Sequence, residues 1–136
     1  MMQKIQERAL RFVLKDSISD YETLLSKGRF DSSQISSLKT MAVEIYKILN
    51  GMDPKYLSPL FSQSITPYNL RDENKLIQPL KRTTSFGIKS LAYYGAHLWN
   101  ILPQDVKGAV TLKNFKTLLR KWVGPTCGCS VCETVI

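Results

Sequence analysis

Ser90-Leu-Ala-Tyr-Tyr-Gly-Ala-His-Leu-Trp-Asn-Ile-Leu-Pro103 is the most apolar and aromatic stretch of this 136-residue sequence, and its folding decides what the rest packs against. The aromatic run Leu91–Tyr94 predicts a short strand. Gly95 permits a sharp change of direction, and a short helix beginning at Ala96 is stopped by Pro103. Tyr93, Tyr94 and Trp99 stand beside Leu91, Leu98, Ile101 and Leu102. Each large aromatic buries roughly 150–250 Å², and burial stabilises by about 25 cal/mol per Å², so this block is core material.

Working outward toward the N-terminus, Leu76, Ile77, Leu80, Thr83, Thr84 and Phe86 predict two or three short strands within 75–95, broken at Pro79 and Gly87. The polar segment Ser62 to Asn74, with Pro67, is expected to be a loop. Asp53-Pro54 opens a turn of helix through Tyr56, Leu57, Leu60 and Phe61, since proline is tolerated at a first helical position. Ser32 or Ser33 begins the clearest helix, in which Ile35, Leu38, Ala42, Ile45, Tyr46 and Leu49 recur every three or four residues until Asn50-Gly51. Ser19-Asp-Tyr-Glu22 has the form of a capping box, which predicts a helix with Tyr21, Leu24 and Leu25 inward, closed by Gly28. From Lys4 to Leu14, Ile5, Ala9, Phe12 and Val13 mark an apolar face, with Lys4, Glu7, Arg8, Arg11 and Lys15 opposite.

Toward the C-terminus, Thr111 caps a last helix, Leu112 to Trp122. Its Leu112, Phe115, Leu118, Leu119 and Trp122 form one face, its Lys113, Lys116, Arg120 and Lys121 the other, and Gly124-Pro125 ends it. The expected fold is mainly α: a small helical domain of four or five helices with a minor β-hairpin element and a Cys-containing tail. The domain spans 1–124, with a helical half over 1–61, loop and short strands over 62–95 and helix again over 96–124. The tail, 125–136, is expected to be flexible.

Hydrophobic content of 43% and charged content of 22% suit a globular chain. No apolar run approaches the roughly 18 residues of a membrane span, and the start Met-Met-Gln-Lys-Ile-Gln-Glu-Arg lacks a signal peptide's apolar stretch. The expectation is therefore an intracellular protein, nuclear or cytoplasmic, with no membrane partner. The net charge of +8 favours a polyanionic partner. Residues 81–122 hold eight cations against Asp105 alone, a net of +7, whereas the first 80 residues carry eleven cations and nine anions. Any electrostatic footprint belongs to the C-terminal half.

Lys113, Lys116 and Arg120 are spaced three and four apart and form one stripe, with Lys121 beside it. Such a stripe tracks phosphates, and its plain alternative is a solvated helix face. Arg71, Lys81, Arg82 and Lys89, near Tyr68 and Phe86, add the mix of cation and aromatic that single-stranded nucleic-acid binders use. Cys127, Cys129 and Cys132 fit two readings besides loose reduced thiols: zinc, with thiolates as ligands, and redox or palmitoyl chemistry. Zinc would need His97 or a cysteine of another chain as fourth ligand. His97, the only histidine, has no Ser, Cys or carboxylate at a triad spacing, so a packed side chain with satisfied nitrogens is expected. Gly-Pro-Thr-Cys-Gly lacks the Lys and Ser or Thr of a phosphate-binding loop.

Taken in order, Lys4-Ile-Gln-Glu-Arg-Ala-Leu-Arg11, Tyr21-Glu-Thr-Leu-Leu25, Lys47-Ile-Leu-Asn50, Leu98-Trp-Asn-Ile-Leu-Pro103, Asn114-Phe-Lys116 and Trp122-Val-Gly-Pro-Thr-Cys-Gly-Cys-Ser-Val-Cys132 form a series spanning nearly the whole chain. This series resembles the C-terminal region, after the polymerase palm and thumb, of a non-LTR (LINE-type) retrotransposon reverse transcriptase. The three-cysteine ending matches that family's usual one. The resemblance implies a non-catalytic accessory module that binds element RNA or target DNA during target-primed reverse transcription, on a parent RNA-directed DNA polymerase. The paired aspartates of such a polymerase are missing here, as is an endonuclease segment, so the chain itself is not expected to be an enzyme. Two other readings stand beside this one. One is a structural module docking on the polymerase portion of the parent protein; the other is a functionless fragment of a decayed element, severed from a larger polypeptide.

Overall fold

The computed structural model describes residues 2–65, 67–68, 75–80, 82–83, 87 and 90–124. Among these are six α-helices: α1 (Met2–Leu14), α2 (Tyr21–Gly28), α3 (Ser33–Leu49), α4 (Leu91–Ile101), α5 (Gln104–Lys107) and α6 (Leu112–Arg120), with a 3-10 helix over Lys55–Leu60. The mainly helical class matches expectation. Contacts gather in two units, one over 2–38 and the other over 39–124 of the described residues. The boundary falls within α3.

In the first unit, α1 and α2 bury Leu10 and Leu24. The inward face of α1 differs from the one expected. Ile5, Phe12 and Val13 are exposed, Phe12 at 86%, while Leu10 is buried. Apolar residues line more than one side of α1, and Gln6 marks the packed one: Tyr21 Oη donates to Gln6 Oε1 at 2.8 Å, and Gln6 Nε2 donates to the Asp31 carbonyl at 3.0 Å. The expected capping box is also absent. Asp20, not Ser19, is the N-cap of α2, without a side-chain capping bond. Ser19 is engaged by Asp16, whose carboxylate accepts from the Ile18 and Ser19 amides at 3.1 Å and from the Ser19 hydroxyl at 2.6 Å. Lys27 Nζ also donates to it. These donors, Lys27 first, hold the Asp16 carboxyl well below the usual carboxylate range. Gly28 is the last residue of α2, and Arg29 takes the left-handed conformation beyond it (φ 54°).

The second unit is built on an aromatic stack. Phe115 of α6 lies 4.4 Å from Tyr46 of α3 and 6.0 Å from Trp99 of α4, ring centroid to centroid, with interplanar angles of 25° and 18°. Phe115 is fully buried. Tyr46 remains satisfied inside because its hydroxyl donates to the Ala109 carbonyl at 2.9 Å. Ile45, Leu98, Leu102, Val106 and Leu119 are among the other residues buried in this unit. Edge and face contacts among such rings add about 0.5–1.5 kcal/mol per pair beyond area burial.

The Ser90–Pro103 block forms this core, but not as a strand followed by a helix. Residues 91–101 are one helix, whose N-cap Ser90 accepts from the Tyr93 amide. Tyr93, Gly95, Ala96, Leu98 and Trp99 are all buried, so the helix is apolar around much of its circumference and lacks the amphipathic period that would reveal it. Gly95 provides close approach rather than a turn: a Cβ there would sit 3.0 Å from the Phe61 ring and 3.2 Å from Ile45 Cδ1. Pro103 does end the helix, with Leu102 extended before it, and then caps the short α5.

The β-hairpin reduces, among the described residues, to a single antiparallel bridge between Gln63 and Leu76. Two backbone bonds of 2.8 Å flank it, Ser64 amide to Lys75 carbonyl and Ile77 amide to Ser62 carbonyl. Side chains of α4 take up what a longer ladder would. Asn100 Oδ1 accepts from the Leu76 amide at 2.8 Å and Asn100 Nδ2 donates to the Leu76 carbonyl at 2.9 Å. The Asp53-Pro54 segment leads into a 3-10 rather than an α turn, with Pro54 before its first residue.

Candidate nucleic-acid interface

The geometry of α6 follows from its sequence. Thr111 stands before it in extended conformation, and its hydroxyl accepts from the Asn114 amide at 3.2 Å, satisfying one of the donors a helix start leaves open. Phe115 and Leu119 then go into the core, which forces the opposite side outward. Lys113, Lys116 and Arg120 are exposed there, and Lys121 is exposed in the turn that follows. At 1.5 Å per residue, Lys113 to Arg120 spans about 10 Å.

These four cations have no ion pair among the described residues. Elsewhere Arg11 pairs with Glu7 at 2.7 Å, Lys27 with Asp16, and Lys47 with Glu44 at 2.7 Å, while Lys4, Arg8, Lys15, Arg29, Lys55, Lys75 and Arg82 also have no ion pair among the described residues. What sets the four apart is their clustering on one short stretch without an acidic neighbour. Arg120 and Lys121 also lie at the helix C-terminus, where the macrodipole favours positive charge. A further cation joins them that spacing along the sequence does not reveal. Lys39 Nζ donates to the Arg120 carbonyl at 3.2 Å, bringing a residue 81 positions earlier to the same helix end. The arrangement is chemically suited to neutralising a row of anionic oxygens, by point charges that need no bidentate geometry.

Of the other candidates, Arg82 is exposed. Arg71, Lys81, Lys89 and the possible zinc ligands Cys127, Cys129 and Cys132 lie outside the described residues. Among the described residues, no group of three His, Cys, Asp or Glu is placed to hold a metal ion. His97 is half-buried, with Nδ1 2.9 Å from Gln78 Nε2, and burial lowers its pKa. It is a packed side chain whose charged form burial disfavours. Lys107, by contrast, is buried, and its ammonium lies 3.4 Å from the Asn100 carbonyl.

No helix among the described residues is long and apolar enough to cross a membrane. Comparison with family models, curated proteins and solved structures returns no match.

Proposed function

We propose that this chain is a non-catalytic, nucleic-acid-binding accessory module of the kind found at the C-terminus of non-LTR retrotransposon reverse transcriptases, gripping element RNA or target DNA through phosphates. The observation that carries this reading is the clustering of exposed cations without an ion pair, Lys113, Lys116 and Arg120 on α6 and Lys121 in the turn that follows, reinforced by Lys39 at the end of the helix. The ordered series of family-like segments supports the assignment to target-primed reverse transcription. Gel-shift titration against RNA, single-stranded DNA and duplex DNA at two salt concentrations tests it. Binding is expected to weaken steeply with salt, because each neutralised phosphate releases counterions. The charge reversal Lys113→Glu with Lys116→Glu and Arg120→Glu is expected to abolish binding without unfolding the chain. Absence of binding at low salt, or binding unchanged by the reversal, refutes the reading.

A second reading, docking on the polymerase portion of the parent protein, is favoured by one observation in the first unit. Met2, Ile5, Ala9 and Phe12 follow the three-four-three spacing of a helix seam, and all four are exposed. On this reading Ile5→Ser with Phe12→Ser abolishes pull-down by the polymerase portion, while the α6 charge reversal leaves it intact. Capture that survives the seam substitutions removes this second reading.

A further inference from the structure

A groove of about 330 Å³ is formed within the second unit where the end of α4, α5 and α6 converge, on the side of α6 away from Lys113, Lys116 and Arg120. Its walls include Ile101, Val106, Leu118 and Trp122, and its polar residues are Asp105 and Lys121. Val106 and Trp122 are buried, whereas Asp105 and Lys121 are exposed. Lys121 therefore belongs both to the groove and to the row of cations. Asp105 has no hydrogen bond or ion pair among the described residues.

The chemistry of these walls selects an occupant. Phosphate does not suit the groove, because its surfaces are largely apolar and the Asp105 carboxylate repels an anion. An aliphatic chain matches the walls but makes no use of that carboxylate, which stays hydrated. A flat group with apolar faces, hydrogen-bond donors along one edge and a polyanionic tether satisfies every part: a nucleobase, whose faces lie against apolar side chains while its edge meets a polar group. An ionised carboxylate is an acceptor only, with two oxygens side by side. Guanine alone among the common bases presents two adjacent donors, N1–H and the N2 amino group, on its Watson–Crick edge. Cytosine and adenine place a ring acceptor beside their amino group, and uracil sets one donor between two carbonyls. In a duplex that edge is already paired, so the base must be unpaired.

We infer that the groove between α5 and α6 takes an unpaired guanine of a single strand, with Asp105 accepting from N1–H and N2–H while a neighbouring phosphate meets Lys121, the cation of the row that lines the groove. The inference rests on the nucleic-acid reading of α6 and adds to it a base preference that phosphate contacts do not confer.

Fluorescence anisotropy with short labelled oligoadenylates carrying one central guanosine, inosine, cytidine or adenosine tests it. Inosine keeps N1–H and lacks the N2 amino group. The guanosine oligonucleotide is expected to bind about ten-fold more tightly than the adenosine one, within the range of a good bidentate base contact, and the inosine one to lose most of that gain. Asp105→Asn is expected to erase the ranking. Equal binding of all four oligonucleotides, or a guanosine preference that persists in Asp105→Asn, overturns the inference about the groove. If these oligonucleotides still bind and the α6 charge reversal still abolishes binding, the phosphate reading survives that failure. If none of them binds even at low salt, the inference about the groove falls, and the phosphate reading falls with it when duplex DNA also fails to bind.

Discussion

Asn100 grips Leu76 by both of its backbone polar groups, accepting from the amide at 2.8 Å and donating to the carbonyl at 2.9 Å. Leu76 is itself buried at 1% exposure, so water cannot replace these bonds without opening the core. Asn100→Leu leaves one donor and one acceptor unsatisfied. It is expected to destabilise the protein by about 2–4 kcal/mol, since each buried unmade bond costs about 1–3 kcal/mol and the added apolar contact offsets part of this. Urea unfolding measures it, and a midpoint equal to that of the unmodified chain would contradict the assignment.

Gly95 in the middle of α4 makes a second expectation that runs against helix propensity. Gly→Ala in a helix interior ordinarily stabilises by roughly 0.5–1 kcal/mol. Here the new methyl meets the Phe61 ring at 3.0 Å and Ile45 at 3.2 Å, and both neighbours are buried. Overpacking costs about 1–3 kcal/mol, so Gly95→Ala is expected to lower the thermal midpoint. Gly95→Ala with Phe61→Leu is expected to recover part of the loss.

His97 links stability to pH. Burial lowers its pKa from the usual 6.5, so the folded state binds a proton less readily than the unfolded state. The sign follows from linkage: this contribution is fully present above the unfolded pKa and is lost as pH falls through the folded one. Stability should therefore decline as pH drops below about 6.5, and His97→Gln should flatten that part of the profile. Asp16, whose pKa is also lowered, acts in a separate window below its usual 3.8, where protonation removes its bonds to Ser19 and Lys27. Thermal midpoints of the unmodified and His97→Gln chains across pH 5 to 8, above the Asp16 window, isolate the His97 contribution, and identical profiles would remove it.

Lys116 sits mid-row on α6, exposed and without an ion pair among the described residues. If it neutralises one phosphate of a single strand, Lys116→Ala reduces the slope of log affinity against log salt by about 0.7. Stability should change by less than about 0.5 kcal/mol, as for other exposed substitutions. Anisotropy at four salt concentrations checks the slope, and an unaltered slope would place Lys116 outside the contact.

Much of this architecture is legible in the sequence where one signal dominates. The apolar steps of α3 through Leu38, Ala42, Ile45 and Tyr46 lead to buried positions, and Thr111 caps α6 as its hydroxyl chemistry suggests. The exposed stripe of Lys113, Lys116 and Arg120 is equally readable, because these residues lie on one short helix. Misreadings arise where two signals compete. Leu91–Tyr94 has the aromatic density of a strand, yet Ser90 caps it as a helix. Ser19 and Glu22 have capping-box spacing, yet Asp16 takes the Ser19 hydroxyl. In α1 the long apolar series Ile5, Phe12 and Val13 suggests a buried face, while Leu10, which interrupts it, is the residue that packs. Lys39 beside Arg120, and the convergence of Asp105 with Trp122, depend on tertiary contact and leave no local trace.

The clamp of Asn100 on Leu76 has an implication for how this protein tolerates change in length. The two residues are 24 positions apart, and the clamp ties α4 to the Gln63–Leu76 bridge at the neck of the intervening segment. One residue inserted in α4 between Ser90 and Asn100 turns the Asn100 amide about 100° away from Leu76 and breaks both bonds at once, so this pair fixes the length of that helix.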